Sequence, residues 1–255
     1  MNRIILFIAI VLSITGCAPL PNKPGGDAAS AAMHQHGHIT VFSENSASGL
    51  PDQWTPLVIL RTKKPTQYQL VEESGKTVLH AYAREASSGL MQYLDVDPLA
   101  QPWLNWEWKI GMVAGTDASK PQVVEDSPVR IILGFDGDKD SLPFADQILF
   151  ETAKLITGHD FPYATLMYIW DKNAAVGTIM PSHRSGRIKM LVVANTAEGV
   201  GKWQSFNRNI ATDFEAAFGE KPGQLIGVGV LTDTDNLGGI SEAWYGDIRL
   251  RPERK

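Results

Sequence analysis

Residues Gly227 to Gly239 read "GVGVLTDTDNLGG", where a small, apolar run breaks into two aspartates, an asparagine and a glycine pair. Asp233, Asp235 and Asn236 would gather carboxylate and amide oxygens at the end of a buried strand, and hard cations such as calcium take oxygen ligands supplied in that way. A turn explains the same residues without any ion. Asp and Asn bond nearby backbone and tolerate turn dihedrals, and Gly238 with Gly239 would complete the reversal. No full ligand set is legible, so the turn is favoured over the metal. An acid/base pair is the weakest reading, because glycosidase carboxylates face each other across a cleft rather than share one tight loop.

A second acidic run, "FDGDKDSLPFADQ", sets Asp136, Asp138 and Asp140 at alternate positions, as an EF-hand loop begins. It then departs from that loop. Ser141 stands where the glycine belongs and Gln147 where the bidentate glutamate belongs, so the expectation is a solvated loop with Asp140 or Ser141 capping a following helix. "SHRSGRIK" concentrates His183, Arg184, Arg187 and Lys189. Arg184 and Arg187 could hold a carboxylate or phosphate of an acidic glycan or headgroup, although a solvated hairpin has the same composition and is favoured. His34, His36 and His38 alternate in "HQHGH". A divalent metal could use them, but a linker with incidental histidines is favoured where no second shell supports the ligands.

The aromatic residues give the strongest functional hint. In "WLNWEWKI", Leu104, Trp106, Trp108 and Ile110 point one way, which makes both tryptophans core residues. Trp103 lies on the other face beside Asn105 and Glu107, a pairing of flat apolar surface with hydrogen-bonding groups that suits a pyranose ring. Trp244 and Tyr245 near the C-terminus extend the candidate ligand-binding set. Against this stands plain packing, the commoner fate of large aromatics.

These residues need strands to position them. Alternation of period two recurs in "QYQLVEE", "TVLHAYA", "GLMQYLDV", "VRIILGF", "TLMYIW", "IKMLVVAN", "WQSFNRNI", "LIGVGVLT" and "AWYGDIRL", with Gly, Pro, Asp and Asn turns between. Two helices are predicted. "TDFEAAFG" has Thr212 and Glu215 spaced as a capping box with Gly219 as a stop. "LPFADQILFETAKLITG" offers Phe144, Ile148 and Leu155 on one stripe and ends near Gly158. Helices do not alternate with strands, so a doubly wound sheet is excluded. A mainly β fold follows: an antiparallel β-sandwich of jelly-roll kind with one or two short helices.

The address is legible at the other end. "MNRIILFIAIVLSITG" carries Arg3, an apolar stretch from Ile4 to Leu12 and small residues before Cys17, the layout of a removable export signal. Its apolar core is far shorter than the roughly 20 residues of a membrane-spanning helix. "ITGC" resembles the lipobox of bacterial lipoproteins, which makes Cys17, the sole cysteine, the expected lipidation site and a lipid anchor the expected partner. Ala18 rather than aspartate follows it, so by the same analogy the destination in a Gram-negative host is the outer membrane, facing the periplasm. Residues 17–38 form a Pro/Gly/Ala-rich tether, and residues 39–252 a single domain.

Composition excludes several classes. With Cys17 used for lipid, the folded part has no thiol for disulfides, nucleophilic catalysis or metal. The chain carries 23 basic and 28 acidic side chains, and loss of Arg3 with the signal brings its net charge to −6. That balance speaks against nucleic acid. There is no "GxSxG" elbow, no "HExxH", no "GxxxxGK[ST]" and no dinucleotide-type glycine fingerprint, which removes nucleotide and most familiar hydrolase chemistry.

The segments "WLNWEWKI", "EDSPVRIILGFDGD", "PYATLMYIWD", "HRSGRIKMLVV", "WQSFNRNIATDFEAAFGEKPGQLIGVGVLTDTDN" and "AWYGDIRL" resemble, in order and spacing, the bacterial domain-of-unknown-function family DUF3047 over about residues 39 to 250. The resemblance implies an exported or lipid-anchored protein with a sandwich of the galactose-binding or concanavalin type, folds that often carry a structural calcium. It implies no activity. Leu237, Gly238 and Gly239 depart from the family pattern, in which threonine follows "DTDN", and loosen that corner.

The expectation for function is a non-catalytic, lipid-tethered sandwich that binds a carbohydrate or another envelope ligand through one sheet face. The alternatives are a polysaccharide-active enzyme, with acids drawn from Glu107, Asp136, Asp171 and Asp233, and a structural partner in envelope assembly.

Overall fold

The computed structural model describes residues 37–114, 126–157 and 160–253. The expected signal sequence, Cys17, His34, His36 and all but the last two residues of the expected tether lie outside the described residues, as does the expected helix stop at Gly158. Residues His34–Lys255 form one compact unit.

Among the described residues, thirteen strands build two sheets. Strands β1 (Thr55–Leu57), β2 (Gln67–Glu73), β3 (Lys76–Arg84), β4 (Ser87–Val96) and β5 (Trp103–Met112) come first. They are followed by β6 (Arg130–Phe135), helix α1 (Phe144–Thr157), β7 (Ala164–Trp170), β8 (Ile179–Pro181) and β9 (Ile188–Ala194). The chain ends with β10 (Trp203–Asn209), helix α2 (Ile210–Phe218), β11 (Leu225–Asp233), β12 (Ile240–Tyr245) and β13 (Arg249–Arg251). One sheet has the order β1-β4-β11-β6-β7-β9-β8; the other has β10-β5-β12-β3-β2, with β13 also pairing β5. The chain changes sheet repeatedly, from β3 to β4 to β5 to β6 and again from β9 through β12, as a jelly roll does. The mainly β sandwich expected from alternation is the fold.

Between the sheets lies the core. Leu104, Trp106, Trp108 and Ile110 of β5 meet Ile131, Leu133 and Phe135 of β6, with Phe214 of α2 closing one end. Trp106 stacks on Tyr168 and Phe206 with interplanar angles of 17° and centroids 4.8 and 5.0 Å apart. Strand β5 alternates strictly between buried and half-buried along its first eight residues, because one of its faces meets solvent. Strand β6 is buried at every position. The seven-stranded sheet is therefore covered on its outer face too, by the segment after β1 and by α1.

Several local expectations change. The pairing is antiparallel except for β7 with β9, which are parallel because β8 folds back onto the outer edge of β9 and leaves β9 beside β7. "AWYGDIRL" is two strands: the break at Gly246–Ile248 lets β12 pair the upper part of β5 and β13 its lower part. Helix α2 starts directly from β10, so its cap is Asn209, whose side chain accepts from the Thr212 amide 3.0 Å away, and not Thr212 itself. Gly219 ends it with φ 75°, as expected. Before α1, Asp138 caps the turn Lys139–Ser141, its side chain accepting from the Asp140 amide at 3.1 Å. On α1 the predicted stripe faces out, with Phe144, Ile148 and Leu155 exposed by 76, 50 and 85%, while Phe150 is buried. Among the described residues no helix is long and apolar enough to cross a membrane.

Candidate functional site

The outer face of the seven-stranded sheet carries a cleft of about 250 Å³. Arg130, Leu231 and Asp233 floor its polar end, Leu149, Thr152 and Ala153 of α1 form one wall, and Ile59 and Leu60 another. Through Ile59, Phe161, Met167 and Ile188 it adjoins an apolar hollow of about 130 Å³. The loop after β8 brings Ser182, His183 and Arg184 to the polar end, where Asp233, Asp235 and Asn236 line the same cleft. Two constellations that are 50 residues apart in the chain thus share one site.

Asp233 is the anchor of that end. Arg130 and Asp233 are each only 6% exposed, and the Arg130 guanidinium donates to Asp233 Oδ2 at 2.9 Å while the Ser127 amide donates to Oδ1 at 3.0 Å. Burial pushes the Asp233 carboxyl up to about 6, and the adjacent guanidinium offsets only part of that. Asp126, beside it, accepts from the Asn236 and Leu237 amides at 3.0 and 2.7 Å and from the Asn236 side chain at 2.6 Å. Gly238 and Gly239 take φ of 75° and 83° there, and the Gly238 amide closes the turn on the Thr234 carbonyl at 2.7 Å. The acidic corner is therefore a turn that ends a buried strand, with an ion pair beneath it.

The calcium expectation meets a specific obstacle. Carboxylate oxygens of Asp126, Asp233 and Asp235 lie within 4.8 Å of one another. Arg130 and Lys63, however, already pair with Asp233 and Asp235, Lys63 at 2.8 Å. The Asn236 side-chain nitrogen donates to Asp126, so that amide is engaged within the turn. Two resident cations on three carboxylates do not fit an additional calcium ion.

The other predicted ligand residues are dispersed. Trp103, Asn105, Glu107 and Trp244 lie half-buried on the solvent face of the six-stranded sheet, opposite the cleft. There Trp203, Lys109, Trp244 and His80 form one cross-strand row. The Lys109 ammonium sits 4.1 Å from the Trp244 ring centroid and bonds Glu73, so the Trp244 ring is already engaged by packing. Tyr245 points the other way, as its place between Trp244 and Gly246 in an alternating strand requires. It is fully buried and its hydroxyl donates to the Leu231 carbonyl at 2.8 Å, which rules it out as a ligand platform. Arg187 is tied to Glu220 at 2.7 Å and stacked 4.0 Å over Tyr163; only Arg184 reaches the cleft. Of the acids considered for catalysis, Glu107, Asp136 and Asp171 lie outside the cleft, and Asp171 accepts from the Asn173 and Ala174 amides.

Sequence reasoning missed Arg130, Asp126 and Lys63. Arg130 was the one detectable signal: a lone cation within the apolar run "VRIILGF" has to find a buried partner.

A family model described as "Protein of unknown function (DUF3047)" matches residues 52–249. The chain belongs to that family. The DUF3047 match takes in every residue named at the polar end of the cleft. No curated protein matches the chain. Among solved structures, it is similar to the xyloglucanase domain of a type three effector from Sinorhizobium fredii, at 8% identity and TM-score 0.44, covering 84% of this chain and all of that one. It is also similar to a family 30 carbohydrate-binding module of a Clostridium thermocellum cellulosomal cellulase, at 11% identity and TM-score 0.33, covering 88% and 97%. An α-L-arabinofuranosidase matches at 8% identity and TM-score 0.40 over 88% of this chain, which spans only 27% of that enzyme.

Proposed function

We propose that this protein is a non-catalytic binding lipoprotein of the cell envelope, anchored through Cys17, which holds a saccharide headgroup at the polar end of the cleft. The observation that carries this reading is the convergence of Arg184, His183, Asp235 and Asn236 on a floor prepared by the Arg130–Asp233 pair. Saccharide hydroxyls both donate and accept, and this end offers carboxylate acceptors, the Arg184 guanidinium and the Ser87 and Ser182 hydroxyls. Binding rather than turnover is favoured because Asp233 is engaged by Arg130 and Ser127, and among the described residues the other acid lining the cleft, Asp235, shares its loop and is paired with Lys63. Glycan arrays with envelope saccharides test the reading. Arg184→Ala, at an exposed position, should lower affinity at least tenfold without changing stability; equal binding by the variant would defeat the assignment.

A second surface supports the same ligand class. A shallow hollow of about 400 Å³ on the six-stranded sheet is lined by Asn105, Glu107, Ser205, Asn207, Asp247 and Arg249, with Trp103 two residues along β5 from Asn105. Saccharide binding that Asn105→Ala abolishes and Arg184→Ala leaves intact would move the site there.

A further inference from the structure

The charged end accounts for only one branch of the cleft. Two cross-strand rows floor the other. One runs Met91, Gly229, Ile132, Met167 and Met190 across β4, β11, β6, β7 and β9. Its neighbour runs Tyr93, Gly227, Gly134, Thr165 and Ile188 over the same strands, and neither row contains a charged side chain. Five strands spaced at about 4.8 Å make a floor about 19 Å long, and the two rows stand about 7 Å apart. The glycines keep it low. Met91 lies across β11, its sulfur 3.1 and 3.3 Å from the positions that Cβ atoms on Gly227 and Gly229 would take. Leu57, Val58, Ile59 and Phe161 wall this branch. At its rim Val58 and Leu60 are exposed, and so is the apolar stripe of α1, the helix that forms the adjoining wall.

We infer that this branch holds one alkyl chain, so that the ligand is a lipid-linked saccharide. The inference rests on the saccharide reading for its headgroup alone; the chain stands on the floor's own chemistry. Its length exceeds the roughly 15 Å that one leaflet contributes to a hydrocarbon core of about 30 Å. Its width admits a single chain. Unbranched methionine side chains fill irregular gaps, which suits a flexible chain better than a rigid ring system. The polar end lies directly beyond Met167 and Ile188, so a chain in this branch leaves its headgroup beside Arg184 and His183.

The test titrates the full-length chain carrying Cys17→Ser, so that its own acyl groups do not compete, with glucose and with hexyl, octyl and decyl glucoside below their micellar concentrations. Affinity should rise about fourfold per added methylene until the branch is full. A series flat with chain length overturns the inference whatever the headgroup does. Ile59→Arg, on the wall segment outside the sheet, should flatten the series, and the unmutated series decides on its own if that variant folds poorly. Alkyl phosphocholines of matched length separate the two readings. An equal slope with no preference for glucoside keeps the chain site and removes the saccharide head, whereas saccharide binding with a flat slope does the reverse.

Discussion

Protonation of Asp233 is the most direct probe of how the cleft floor is built. Two effects compete there: burial favours the neutral acid, and the guanidinium 2.9 Å away favours the carboxylate. Burial wins, placing the group near 6 against an ordinary 3.8. A carboxyl raised by folding contributes stability that is fully present below its unfolded pKa of 3.8 and is lost as pH rises through about 6. Over that window the contribution changes by roughly 2 to 3 kcal/mol, at about 1.4 kcal/mol per tenfold in proton affinity. Urea denaturation of the unmutated chain and of Asp233→Asn, measured from pH 4 to 7.5, reports on this corner, because titrations remote from it are common to both. Relative to the variant, the unmutated chain should lose about 2 kcal/mol as pH rises across the window. A pH-independent difference would refute the reasoning, and a gain would mean that the Arg130 attraction outweighs burial.

Other consequences are as concrete. A Cβ at Gly223 would stand 2.3 Å from the Asp136 carbonyl oxygen, so Gly223→Ala should cost about 1–3 kcal/mol, readable as a melting temperature lower by several degrees. Tyr245→Phe removes a hydroxyl that bonds the Leu231 carbonyl and Thr232 and accepts from the Arg130 amide, and should cost about 1–3 kcal/mol in urea denaturation with no change in saccharide affinity. Cys17→Ser should abolish incorporation of labelled palmitate in growing cells and release the chain from the membrane fraction.

Strand positions were legible because alternation reports directly which side chains face a core. Strand β2 coincides with "QYQLVEE", and β5 buries Leu104, Trp106, Trp108 and Ile110. Short edge strands such as β1 and β8 gave no comparable signal, since three residues cannot establish a period. The α1 stripe was legible as a stripe, but period alone does not say whether an apolar face meets protein or solvent. Tyr245 was misplaced although alternation already decided it: a strand that turns Trp244 outward turns its neighbour Tyr245 into the core.

By itself the sequence determined a two-layer β fold and a turn at Asp235–Gly239, because each depends on residues adjacent in the chain. Tertiary structure alone decided that Arg130 would neutralise Asp233 and Lys63 would meet Asp235. It also decided that the loop carrying Arg184 would close on the same corner while Trp103 and Trp244 went to the opposite sheet. Those outcomes depend on strand order, which sets β11 between β4 and β6, and strand order is a property of how two sheets share a core rather than of any local run.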